Sequence, residues 1–174
     1  MSTNTDQERL SKIILTLDRV RPEVKQMVFE MAQGMTDLEI IQSFNQQALD
    51  LFTLLNTITV RLNRVNEFKI GGYKLLFDNA IKQNVKLPLD KFTLIILEFA
   101  PEIYDEKETC FMDMSIPDTN VTVGNEFSII RSDMFKKLWK ILDNNDKDSL
   151  KNIIIPLTTY AHAYLYKTVL KYKK

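Results

Sequence analysis

Thr36-Asp37-Leu38-Glu39, followed by Ile41, Phe44, Ala48, Leu51, Leu55, Ile58, Leu62 and Val65, sets the architecture. Thr36 and Glu39 have the spacing of a capping box, in which each side chain accepts the other residue's backbone N–H. Met35 and Ile40 flank it as a hydrophobic staple. The apolar residues then recur at alternating spacings of three and four, an a/d seam over three and a half heptads. The pattern predicts one long helix over 37–68, ended by Gly71-Gly72.

The other faces of this helix are unusual. Between Gln42 and Asn63 only Asp50 and Arg61 are charged. Gln42, Asn45, Gln46, Gln47, Thr53, Asn56, Thr57 and Thr59 occupy the non-seam positions, with Leu49, Phe52, Leu54 and Val60. A solvated helix ordinarily carries more Lys and Glu. Depletion of charge marks interface cores. The helix is therefore expected to be covered on most sides, by its own chain or by another, and Gln42, Asn45, Gln46, Phe52 and Asn56 are candidate contact residues. The plainer reading is that the seam is simply core.

Outward from this helix the chain reads as mainly α. Thr5 and Glu8 open a helix over 5–20 with Leu10, Ile13, Ile14, Leu17 and Val20 on one stripe. Pro22 suits the first position of the next, striped by Val24, Met27, Val28 and Met31 and stopped at Gly34. A helix over 73–84 carries Leu75, Leu76, Ala80 and Ile81. Residues 87–100 fit a helix from Asp90 and also a buried strand, and the helix is preferred. Ser132 caps a helix to 143 whose Phe135, Leu138, Ile141 and Leu142 face in. The last helix spans 148–172, with a kink or restart at Pro156.

The period changes once. Cys110, Met112, Met114 and Ile116 alternate with other residues, Pro117-Asp118-Thr119-Asn120 is turn chemistry, and Val121, Val123, Phe127 and Ile129 alternate again. This predicts an inserted β-hairpin over about 109–130. The expected fold is a single helical domain over 1–174: about seven helices bundled around the 37–68 helix, with that hairpin inserted.

Length and composition fit this. The 174 residues are 45% hydrophobic and 26% charged, ordinary values for a globular chain. Twenty-three basic and 23 acidic residues cancel, which argues against a strongly basic nucleic-acid binder. Seventeen Lys, 17 Ile and 12 Asn stand against six Arg and six Ala, the signature of an AT-rich genome such as that of many large DNA viruses, some protists and some low-GC bacteria. The first residues lack the basic flank and apolar stretch of a signal peptide, and no run of 18 apolar residues occurs. The expected location is the cytoplasm or a virion, with no membrane insertion.

Catalytic chemistry has little to work with. One Cys, Cys110, and one His, His162, exclude a thiolate zinc cluster and leave a single Cys–His pair. No Walker loop, Gly-x-Ser-x-Gly or His-Glu-x-x-His occurs. Residues 98–118 hold seven acids and one base, and Glu98, Glu102 and Asp105 would share a face able to hold Mg²⁺ if a helix ran through Pro101. A solvated acidic rim explains the same residues. No cofactor is implied.

Charge is nevertheless segregated, since 131–174 carries ten Lys or Arg against four Asp. Lys167, Lys171, Lys173 and Lys174 interleave with Tyr164, Tyr166 and Tyr172, a pattern that suits single-stranded nucleic acid and equally a helix C-terminus facing its own dipole. Trp139, within Phe135–Leu142, adds an aromatic contact candidate. The reading preferred from sequence is a non-enzymatic structural or interaction subunit that binds itself or other proteins. The alternatives are a small regulator that holds a partner helix in a groove, and a metal-dependent enzyme using the acidic segment.

Overall fold

The computed structural model describes residues 2–107 and 132–168. Among these, all regular structure is helical: α1 Ser2–Leu17, α2 Pro22–Gly34, α3 Asp37–Arg61, α4 Val65–Phe68, α5 Ile70–Gln83, α6 Leu87–Ile96, α7 Ala100–Tyr104, α8 Ser132–Ile141 and α9 Asn144–Thr168. A 3-10 turn, Leu97–Phe99, joins α6 to α7. The hairpin expected at 109–130 lies outside the described residues. Residues 87–100 are helical rather than extended.

The capping box forms as its spacing predicts. Glu39 N donates to Thr36 Oγ1 at 3.1 Å, and Thr36 N donates to Glu39 Oε1 at 3.0 Å. α3 then runs for 25 residues, about 37 Å at 1.5 Å per residue. It stops seven residues short of the expected 68. Asn63 takes a left-handed φ of 59°, Asn63 N donates to Val60 O, and Arg64 N donates to Thr59 O at 2.8 Å. That pair of bonds is the Schellman cap, and Asn tolerates the left-handed position better than most residues. The seam therefore ends early: Ile41 through Ile58 are buried, Leu62 is half-buried and Val65 is exposed. Gly71 and Gly72 do not stop a helix but lie in the first turn of α5, after Lys69 turns the chain at φ 50°.

Helix α1 also starts before its expected cap, so Thr5 is inside it. α2 begins with Pro22 in its first turn, as expected. α9 starts at 144 rather than 148, where Asp143 Oδ1 accepts the Asp146 N–H at 2.8 Å as an N-cap. It continues through Pro156 without restarting.

Helix α3 packs most extensively on α9, the other 25-residue helix, and also meets α5, α6 and α4. α9 packs on α2 and α6, while α1 lies against α6, α7 and the 3-10 turn. The chain from α3 to α5 forms an antiparallel pair: Phe52 meets Phe77 edge-on at 5.4 Å, and Asn45 Nδ2 donates to Val85 O at 3.0 Å. One apolar core draws on all the longer helices, with Trp139, Phe44, Phe52, Phe68 and Phe77 its largest buried side chains. In α5 the core side is Ile70, Phe77 and Ala80; Leu75 and Leu76, read as stripe residues, are exposed.

Candidate interaction surface

The uncharged faces of α3 divide into two. Toward α5, Asn45, Phe52 and Thr59 are buried. Away from the core, Gln42, Gln46, Thr53, Asn56, Thr57 and Val60 are exposed and Leu49 is half-buried. The helix is thus covered by its own chain along the seam and along the α5 side, and one long strip faces out.

The hydroxyls of that strip make few demands on water. Thr53 Oγ1 donates to Leu49 O at 3.1 Å, and Thr57 Oγ1 donates to Thr53 O at 2.9 Å. Gln46 Nε2 donates to Asp50 Oδ1 at 3.1 Å, one turn on. The other charge between Gln42 and Asn63, Arg61, pairs with Asp146 at the start of α9. Leu38 and Val60, 55% and 58% exposed, put an apolar side chain at each end. A surface with satisfied hydroxyls, one charge and exposed aliphatics loses little when a partner displaces its water.

The contact candidates among the described residues fall into three groups. Gln42, Gln46 and Asn56 lie on the outward strip. Asn45, Phe52 and Trp139 are buried, with Trp139 only 1% exposed, so they serve the core rather than the surface. Lys167 spans α9 and α2: its Nζ donates to Ala32 O at 3.1 Å and to Met35 O, and lies 3.8 Å from Asp37 Oδ1. Its charge completes the C-terminal end of α2, where helix carbonyls lack partners. Lys171, Lys173 and Lys174 lie outside the described residues. Leu38 joins the strip although the sequence reading did not single it out; its exposure on the face of Gln42, one turn later, was the available signal.

The catalytic candidates are occupied otherwise. Tyr104 Oη and His162 Nδ1 share a hydrogen bond of 3.1 Å inside the core, where His162 is 4% exposed. Burial, aided by the nearby charge of Lys25, pushes the His162 pKa down to about 4; burial raises that of Tyr104. Both are neutral at pH 7 and hold α7 to α9. Cys110 lies outside the described residues.

In the acidic segment Asp105 pairs with Arg21 Nε at 3.0 Å, and Arg21 also donates to Tyr104 O. Glu102 is half-buried, with one carboxylate oxygen lacking a hydrogen-bond partner. Among the described residues no three His, Cys, Asp or Glu side chains are grouped to hold a metal ion. An open depression of about 500 Å³ sits at the α3–α4 junction, lined by Leu62 to Glu67. Its lining includes Arg64, which pairs with Glu67, and Glu67 also pairs with Lys137 of α8. Among the described residues no helix is long and apolar enough to cross a membrane.

No protein-family model and no solved structure matches the chain. It is 54% identical over 170 residues to uncharacterized protein R465 of Acanthamoeba polyphaga mimivirus, a match that covers 98% of this chain and 94% of that protein. A relative in a virus is consistent with one of the AT-rich sources that the Lys, Ile and Asn usage fits. Similarity of that degree along nearly the whole of both chains leaves one conclusion: this protein belongs to the same family as that mimivirus protein.

Proposed function

We propose that this protein is a non-enzymatic interaction subunit of a large DNA virus, acting in the virion or in the cytoplasm through the outward strip of α3. In this reading the helices bundle around α3 and hold it rigid from both sides, leaving its one uncovered face to other chains. The observation that carries it is that strip: on a 25-residue helix, the outward stretch from Gln42 to Val60 has Asp50 as its one nearby charge, and its threonine hydroxyls are spent on its own backbone. The closed Tyr104–His162 pair supports the absence of catalysis, because the sole imidazole of the chain faces neither solvent nor the depression at Leu62–Glu67.

The test is site-specific photocrosslinking in the native source. A crosslinker placed at Gln42, Gln46 or Asn56 is expected to capture a discrete protein species. The same group at Glu8 or Lys12, exposed on α1, is the control. Equal capture from both helices, or none from α3, would refute the reading.

A further inference from the structure

We infer that the outward strip of α3 docks on the same strip of a second copy of this chain, with the two helices antiparallel about a two-fold axis at Leu49. The inference rests on the reading of the strip as an interaction surface and names its occupant. Leu38, Gln42, Leu49, Thr53, Asn56 and Val60 fall within an arc of about 60° at 100° per residue, so they form one straight row. Apart from Thr53, whose counterpart Asn45 is buried, the row has a symmetry that its fold does not require. Read from Leu49 in either direction it meets an amide seven residues away, Gln42 or Asn56. It then meets an exposed aliphatic eleven residues away, Leu38 or Val60.

An isologous contact sets the same patch against itself. In the antiparallel arrangement about Leu49, Leu38 of one copy meets Val60 of the other, Gln42 meets Asn56, and Leu49 meets Leu49. Apolar ends thus face apolar ends, and amides, which both donate and accept, face amides. A parallel arrangement would also set like ends of the helix dipoles side by side, whereas the antiparallel one sets opposite ends together. None of the six residues is charged, so a copy meets no like charge in the row.

Size sets the strength. The row is about 33 Å long and a helix contact about 10 Å wide, so each copy covers roughly 330 Å², under half of the ~800 Å² per partner of a standard interface. The contact is therefore weak and concentration-dependent rather than permanent.

Sedimentation of the purified full chain tests it. The mean mass is expected to rise from 20.3 kDa in dilute solution toward twice that value; the rise falls between about 10 µM and about 500 µM, the range of a weak complex. Gln42→Lys with Asn56→Lys puts lysine against lysine twice and should hold the mass at 20.3 kDa throughout. Gln42→Lys with Asn56→Glu puts lysine against glutamate twice and should restore the rise. Both positions are exposed, and unchanged helical circular dichroism and melting confirm that each variant is folded. A wild type that stays at the monomer mass overturns the inference, as does a double-lysine variant that associates like wild type. Failure of the lysine–glutamate variant to recover overturns the antiparallel register. If the pure protein stays monomeric while crosslinks from Gln42 capture another protein, self-docking falls and the interaction reading stands.

Discussion

Acidification should destabilise this fold through His162 well before the carboxylates titrate. The imidazole is 4% exposed, bonded to Tyr104, and held neutral with a pKa of about 4 against an ordinary 6.5. Unfolding frees it to take a proton that the folded state refuses. The neutral imidazole's contribution is fully present above pH 6.5 and is lost as pH falls toward 4. The gap is worth roughly 3 kcal/mol once pH is below the lower value, and about 2 kcal/mol already at pH 5. Solvent hardly screens so enclosed a group, so no large discount applies. The loss at pH 5 is a sizeable part of the 5–15 kcal/mol typical of a domain.

Urea unfolding at pH 7 and pH 5 measures it, in wild type and in His162→Gln. Glutamine keeps a hydrogen-bonding group near Tyr104 but cannot titrate. The variant should be less stable at pH 7, yet lose about 2 kcal/mol less than wild type between the two pH values. His162 is the only histidine, so one imidazole resonance followed by NMR gives its midpoint directly. A midpoint near 6.5, or equal losses in both proteins, would refute the burial argument. Glu39 and Glu67, whose carboxyls are held below their usual range by Thr36 and by Lys137 with Arg64, act in the same direction but only at lower pH. Asp90, raised by burial, opposes them. All three are common to both proteins and cancel in the comparison.

Leu55 is fully buried in the seam, so Leu55→Ala should cost about 2–5 kcal/mol in denaturant unfolding; a loss below about 1 kcal/mol would show that the seam is not packed. Thr36→Ala removes half of the capping box and should cost about 1 kcal/mol, with Glu39→Gln costing less because an amide still accepts the bond. A Cβ at Gly72 meets nothing within 4 Å and the residue has no positive φ, so Gly72→Ala should raise stability by about 0.5–1 kcal/mol; destabilisation would mean that another chain approaches the backbone there. Asn63→Val forces a β-branched residue into a left-handed cap and should cost about 1–2 kcal/mol by thermal melting.

By itself the sequence determined the features whose physics is local. The capping box at Thr36, the proline start of α2, the inward stripe of α1 and that of α3 as far as Ile58 depend on residues within a turn or two of one another, and these are present as read. The uncharged flanks of α3 were likewise visible, because exposed and covered helices differ in composition. Tertiary structure decided what depends on distant neighbours. The heptad pattern continues past Arg61, but the left-handed cap at Asn63 turns the chain, so that Val65 is exposed and Phe68 enters the core in its place. In α5 the pattern offered Leu75 and Leu76, yet Phe77 meets Phe52 and turns the other two outward. Asn45 and Gln46 are neighbouring amides of like composition; only the carbonyl of Val85, forty residues on, buries the first and leaves the second in solvent. Lys167 looked like part of a basic tail and instead completes the end of α2, because α9 carries it to carbonyls more than 130 residues away. Burial and charge pairing are properties of the pair, and a single chain position holds only half of each.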